Sequence, residues 1–87
     1  MNSNKPDYLL TFEWDSKNET LEIHGDQKGL ARLKSAIDLL LTKTDGDHIH
    51  LMTSKWGGNE LSDEKQCSEN EIINHVKFFK WPQKDSV

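Results

Sequence analysis

The sequence predicts an α+β fold in the order β-β-α-β-β, with one amphipathic helix packed on a four-stranded, mainly antiparallel sheet. Two segments near the start of the chain alternate apolar and polar residues, which is the period of a β-strand. Apolar residues then recur at helical spacing, and two further alternating segments follow. Because 87 residues cannot supply two cores, we expect residues 1–87 to form a single domain.

The first two strands are predicted to form a hairpin. Tyr8 to Trp14 alternates so that one face is strongly apolar, and Thr20 to His24 alternates again. Asp15 to Asn18 lies between them and is rich in residues that favour tight turns. Residues 1–7 are polar and lack the apolar centre of a secretory signal, so we expect a disordered N-terminal tail.

The helix is predicted from about Gln27 to Thr42. Its apolar stripe consists of Leu30, Leu33, Ile37, Leu40 and Leu41, with Ala36 beside them. Asp26 can accept hydrogen bonds from the first free amides of the helix. Gly29 costs about 1 kcal/mol in helix propensity relative to Ala. It therefore indicates either close approach of the helix to the sheet or a frayed first turn.

The third strand is predicted over His48 to Thr53 and the last over Ile72 to Trp81, followed by a C-terminal tail at residues 82–87. Residues 54–70 form a long acidic loop between them, which is either functional or mobile because connections of about 4 to 6 residues are usual. One helix covers only one sheet face. The other face, with Leu9, Met52, Phe79 and Trp81, is a binding surface or is covered by the acidic loop or by a second copy.

Charge favours a basic protein partner over nucleic acid. The chain has 15 Asp and Glu against 11 Lys and Arg, a net charge of −4, whereas nucleic-acid affinity depends on cationic side chains. Residues 57–71 hold five carboxylates and one Lys, with Trp56 just before them as a potential interface anchor. Such a loop can dock in a cationic groove, for example that of a nuclease, although solubility alone also explains it.

Two histidines are the strongest metal-ligand candidates. His48 and His50 share one strand face and could chelate a metal with a third ligand such as His24 or His75, or could instead hydrogen-bond to Asp47 or Glu22. We expect no metal, no cofactor and no enzymatic activity, because the sequence shows neither an activated nucleophile nor a phosphate-binding loop. The single Cys67 suits a reducing cytoplasm, and no apolar run of about 20 residues predicts a membrane span.

Three short motifs carry a family resemblance. They are Gly29-Leu30, His48-x-His50-Leu51 and Trp56-Gly57-Gly58-Asn59-Glu60-Leu61. Together with Leu33, these motifs make the chain similar to the immunity protein 32 family of bacterial polymorphic toxin systems, from roughly Leu21 to Trp81. The resemblance implies a non-enzymatic cytoplasmic protein that binds and occludes a cognate toxin domain. The first strand and the tail after Trp81 lie outside it.

We therefore predict a set of partner-binding residues on the acidic loop and the third strand: Trp56, Glu60, Asp63, Glu64, Glu69, His48 and His50. Two alternatives stay open. One is a small metal-binding or regulatory domain that uses His48 and His50, and the other is a homodimeric structural module joined through the uncovered sheet face. The sequence leaves open the strand order and whether the chain is a monomer or a weak homodimer.

Overall fold

The computed structural model of the protein describes residues 6–84. Its strands and helix are β1 (Leu10–Asp15), β2 (Thr20–Gly25), α1 (Gln27–Leu41), β3 (His48–Met52), β4 (Glu71–Ile72) and β5 (His75–Phe79), with a 3₁₀ turn at Ser54–Trp56. The α+β class and the β-β-α-β-β order are confirmed, with β4 and β5 together in the place of the last predicted strand. The predicted tails, residues 1–7 and 82–87, lie mostly outside the described residues. No helix within residues 6–84 has the length and apolar character needed to cross a bilayer.

The strands form two antiparallel sheets, ordered β2-β1-β4 and β3-β5, instead of one four-stranded sheet. The predicted last strand divides at Ile73 and Asn74. Ile73 N donates to Phe12 O at 2.8 Å, whereas Asn74 O accepts from Thr53 N at 3.0 Å. The chain thus leaves β1 and joins β3 within two residues. The prediction of one continuous strand to Trp81 was wrong for this reason.

Part of the acidic loop fills the space between β1 and β3. Leu61 N donates to Met52 O at 3.1 Å, and Ser62 N donates to Leu10 O at 2.9 Å. The Ser62 hydroxyl also accepts a hydrogen bond from Leu10 N. Because Leu61 and Ser62 hydrogen-bond to both strands, they join the two sheets into one layer.

The hydrophobic core lies between this layer and α1. Its buried members are Leu10, Phe12, Leu51 and Leu61, with Leu33, Ala36, Ile73, Val76 and Phe78 among the side chains packed against them. The helix contacts the sheet along a narrow line of residues, Gly29, Leu33, Ala36 and Leu40. Leu30, Ile37 and Leu41 lie about 100° around the helix from this line and are exposed. The predicted apolar stripe was therefore too wide.

The start of α1 follows the sequence prediction closely. The Asp26 carboxylate accepts a hydrogen bond from Gly29 N at 2.7 Å and caps the helix. A Cβ atom at Gly29 would lie 1.7 Å from Leu9 O. Gly29 is therefore required for close approach of the helix to β1, and the alternative of a frayed first turn is excluded.

Candidate functional site

The face of β3 and β5 that points away from α1 carries an unusual set of side chains. Leu51 pairs with Val76, and both point into the core. Neighbouring residues on a strand point to opposite faces. The outer face therefore presents the pairs His48–Phe79, His50–Lys77 and Met52–His75. The register thus brings three histidines together on one exposed face.

Six rings form a continuous line along this face, which we call the aromatic row. In spatial order they are Trp56, His75, His50, His48, Phe79 and Trp81. Successive ring centroids are 4.7 to 6.1 Å apart. The three large rings remain open to solvent, with exposed fractions of 58% for Trp56, 46% for Phe79 and 67% for Trp81. The row is therefore a preformed aromatic surface.

Imidazole contacts fix the centre of the aromatic row. His48 Nε2 lies 3.0 Å from His50 Nε2, and His50 Nδ1 lies 2.8 Å from His75 Nε2. Each contact needs one N–H donor and one bare nitrogen acceptor. Three neutral rings can form both contacts if His50 donates in one of them and accepts in the other. The alternative in which the imidazoles of His48 and His50 hydrogen-bond to Asp47 or Glu22 is not observed, because these rings contact each other and His75. The carboxylate of Asp47 accepts from the His48 backbone N–H instead.

The crowding of the three imidazoles lowers the pKa of His50. Removal of water by the neighbouring rings is the main cause, followed by repulsion from His48, His75 and Lys77. The neutral form of His50 is therefore favoured in the folded chain.

The three imidazoles are poorly arranged for a metal. His50 uses Nε2 toward His48 and Nδ1 toward His75, so the two contacts lie on different sides of its ring. Among the described residues, the one group whose ligand atoms converge within 4.8 Å is Glu13, Glu22 and His24. Hydrogen bonds already occupy that group, because the Asn70 amide donates to both carboxylates at 3.1 and 3.0 Å.

Glu13 anchors the second half of the acidic loop to the outer face of β1. This face of the sheet layer points away from α1, as the aromatic row does. The Glu13 side chain is 0% exposed. It accepts hydrogen bonds from Thr11 Oγ1 at 2.7 Å, Gln66 N at 2.8 Å, Cys67 N at 3.2 Å and Asn70 Nδ2 at 3.1 Å. Burial alone would raise the pKa of Glu13, but these hydrogen bonds outweigh it and lower the pKa. The loop therefore covers the outer face at β1 and leaves the aromatic row open.

The structure brings together only part of the predicted partner-binding set. Trp56, His48 and His50 belong to the aromatic row. Glu60 lies beside β3, where its carboxylate accepts from Met52 N at 3.0 Å.

The remaining three acidic residues lie on the loop beyond Leu61. Glu64 and Glu69 are exposed there, and Asp63 is half-buried and in contact with other residues. The aromatic row also contains His75, Phe79 and Trp81, which the predicted set did not include, although the sequence analysis placed Phe79 and Trp81 on the uncovered sheet face. Their alternation was visible in the sequence, but the register that aligns them with β3 was not.

A cleft lies between α1 and the edge of β3 that does not pair with β5. It has a volume of about 480 Å³ and is lined by apolar side chains that include Leu10, Ala36 and Leu51. Its polar and charged lining includes Arg32 of α1, Tyr8, Lys43 and Glu60, and the Arg32 guanidinium lies over the Tyr8 ring. The cleft and the aromatic row thus flank the same strand.

Comparison with known proteins gives one family match. Residues 20–76 match the family model described as Immunity protein 32. No curated protein matches the chain. No solved structure matches it either. The match includes β2, α1, β3, β4 and the first two residues of β5, so it contains Trp56, His75, His50 and His48 of the aromatic row and ends before Phe79 and Trp81.

Proposed function

Because the chain belongs to the immunity protein 32 family, we propose that it binds a cognate bacterial toxin domain and blocks it by occlusion, without a catalytic step of its own. The observation that carries the proposal is the aromatic row on the open face of β3 and β5. We place the complex in the cytoplasm, where the single free Cys67 can stay reduced.

The aromatic row has the properties of an interface anchor. Trp, Tyr and Arg are enriched at binding hot spots, and a buried aromatic side chain removes about 150–250 Å² from water. Trp56, Phe79 and Trp81 together could therefore supply a few hundred Å² of a typical buried area of about 800 Å² per partner. The Phe79 and Trp81 rings already stack on neighbouring rings, and the Trp56 ring packs at a tilt against His75. Stacking restricts their rotamers before binding, so less entropy is lost when the partner docks.

The acidic loop supports a separate role in the approach of the partner. Glu64 and Glu69 are exposed, and Glu69 has one weak ion pair, 3.8 Å from Lys17. Exposed charges of this kind act on association rate more than on affinity. We propose that they attract a cationic toxin surface, such as the phosphate-binding groove of a nuclease. Glu60 would act mainly by holding the loop beside β3, because its carboxylate accepts a hydrogen bond from Met52 N.

Binding to the toxin domain encoded beside this gene tests the proposal. Affinity is measured by calorimetry for the wild-type chain, Phe79→Ala, Trp81→Ala and the control Leu41→Ala. Leu41 is an apolar residue on α1 that is 64% exposed and lies outside the row. We expect each row variant to bind about tenfold or more weakly and the control to match the wild type.

Two outcomes would contradict the proposal. Absence of binding by the wild-type chain would remove the immunity role for this toxin domain. Equal affinities of the wild type and a Phe79→Ala, Trp81→Ala double variant would place the interface elsewhere on the molecule.

A further inference from the structure

One edge of β3 is open where it meets the cleft. In an antiparallel pair, hydrogen-bonded residues alternate with residues whose N–H and C=O point to the opposite edge. Thr53 N donates to Asn74 O and Lys80 N donates to Asp47 O, at the two ends of the β3–β5 ladder. The bonded positions of β3 therefore have odd numbers, and His48, His50 and Met52 direct their backbone groups away from β5.

Local partners occupy two of these three positions. Met52 N donates to the Glu60 carboxylate, and Met52 O accepts from Glu60 N and Leu61 N. His48 N donates to the Asp47 carboxylate. His50 lies between them and lines the cleft, so its N–H and C=O point into that space. The N–H and C=O of His50 therefore lie beside the apolar lining of the cleft, where they can hydrogen-bond to another strand.

The charges around the cleft indicate what would bind there. Arg32 is the single arginine of a chain with net charge −4. Its guanidinium lies 5.9 Å from the centre of the Tyr8 ring, and it forms no ion pair with a carboxylate within residues 6–84. Lys43 also lines the cleft, but its ammonium already lies 4.0 Å from the Asp47 carboxylate. An acidic side chain of a bound segment would therefore find the Arg32 cation beside the open strand edge.

We propose that the cleft accepts an extended segment of the toxin domain, which adds as a strand to β3 through His50 and places an acidic side chain at Arg32. This inference rests on the proposed function and extends it. The aromatic row contacts the partner through side chains, whereas the cleft contacts it through backbone hydrogen bonds. Strand addition of this kind derives affinity from main-chain pairing and specificity from side-chain pockets.

A proline substitution isolates the backbone donor. His50→Pro removes the N–H that points into the cleft, but the β3–β5 ladder uses Ile49 and Leu51 and is retained. His50→Ala is the matched control, because it loses the same imidazole and keeps the N–H. We expect His50→Pro to bind the toxin domain about tenfold more weakly than His50→Ala.

Two cationic residues of α1, Arg32 and Lys34, provide the second comparison. Arg32→Gln removes the cation at the cleft, whereas Lys34→Gln removes an exposed cation that pairs with Asp38 at 3.2 Å. We expect about a tenfold loss of affinity for Arg32→Gln and less than a twofold loss for Lys34→Gln. Equal effects of the two changes would contradict the acidic contact.

Amide exchange in the wild-type chain keeps the proposal testable if His50→Pro does not fold. We expect hydrogen exchange of the His50 amide to slow about tenfold or more when the toxin domain is bound, because a backbone acceptor then protects it. Unchanged exchange in a saturated complex would overturn strand addition, as would equal affinities of folded His50→Pro and His50→Ala. Self-association abolished by His50→Pro would assign the cleft to a second copy and overturn the proposed occupant.

The tests separate the two proposals. If the wild-type chain fails to bind the toxin domain, the proposed function fails. If row variants weaken binding but the His50 amide is unprotected and the two His50 variants agree, only strand addition fails.

Discussion

Replacement of Glu13 by Gln should destabilise the fold strongly despite the similar shape of the two side chains. The carboxylate accepts four hydrogen bonds at 2.7 to 3.2 Å in a fully buried position. The amide of Gln has one oxygen, so its NH₂ group must face the donors on one side. If the NH₂ group takes the position of Oε2, the Thr11 hydroxyl can rotate and accept a hydrogen bond from it. The Gln66 N–H is then left without an acceptor.

The expected loss follows from this count. One buried N–H without an acceptor costs about 1–3 kcal/mol, and the bonds that remain lose the assistance of the charge. We estimate a total of about 3 kcal/mol, which is large against the 5–15 kcal/mol of a typical domain. With a urea slope of about 1–3 kcal/mol per molar, the unfolding midpoint should fall by at least about 1 M. The control Glu64→Gln changes an exposed carboxylate of the same loop and should leave the midpoint unchanged.

The Cys67 thiol reports on the loop itself. Cys67 N donates to Glu13, so Glu13→Gln should also speed the reaction of this half-exposed thiol with a thiol reagent under native conditions. A free energy of unfolding within about 0.5 kcal/mol of the wild type would refute the anchoring role of Glu13. A large loss of stability with unchanged thiol reactivity would refute its local effect on the loop.

Three further predictions concern the helix, the histidines and the acidic loop. Leu40→Ala should cost about 2–5 kcal/mol because Leu40 is 7% exposed, whereas Leu41→Ala should cost about 0.5 kcal/mol or less; equal losses by denaturant unfolding would contradict the observed helix orientation. Because the folded chain lowers the pKa of His50, the unfolded chain takes up the proton first, so the melting temperature should drop as the pH falls from 7.5 through 6.5. His50→Gln should reduce this drop, and an identical pH profile would exclude His50 as its source. The double variant Glu64→Gln, Glu69→Gln should associate with a cationic toxin surface about tenfold more slowly at low salt, and the difference should be smaller at high salt. Its melting temperature should not change. Stopped-flow association rates that depend neither on these charges nor on salt would contradict electrostatic steering.

Local sequence patterns account for much of the fold. Alternation places β1, β2 and β3 within one or two residues, and Asp26 marks the start of α1. Gly29 indicates the close approach to β1, where a side chain has no space. These features depend on residues that are close in sequence, and their physical causes can therefore be identified from a short segment.

The features that were not predicted correctly depend on residues that are distant in sequence. Glu13 alternates as a solvent-facing residue, yet its hydrogen-bond donors, apart from Thr11, come from residues 66–70. The break at Ile73 follows from a choice between β1 and β3 that no local pattern encodes. The break also shifts the alternation, so Ile73 packs on the core with Val76 and Phe78 instead of lying with His75.

The same limit applies to the candidate site. The sequence identified Trp56, His48 and His50, because their residue types stand out locally. It could not align them with His75 and Phe79, because strand register between residues about 25 apart is set by tertiary packing. The cleft was not predicted for the same reason, since it forms between elements that meet only in the fold.

The chain contains three tryptophans, and their indole N–H signals test the aromatic row most directly. Trp56 and Trp81 lie at the two ends of the row, whereas Trp14 lies on β1 and faces the opposite side of the sheet layer with Leu10 and Phe12. The measurement is a titration of the ¹⁵N-labelled chain with the unlabelled toxin domain, followed by nuclear magnetic resonance. If the row is the interface, the signals of Trp56 and Trp81 shift or broaden at stoichiometric toxin and the signal of Trp14 changes far less. A saturated complex in which Trp56 and Trp81 keep their free positions would contradict the account.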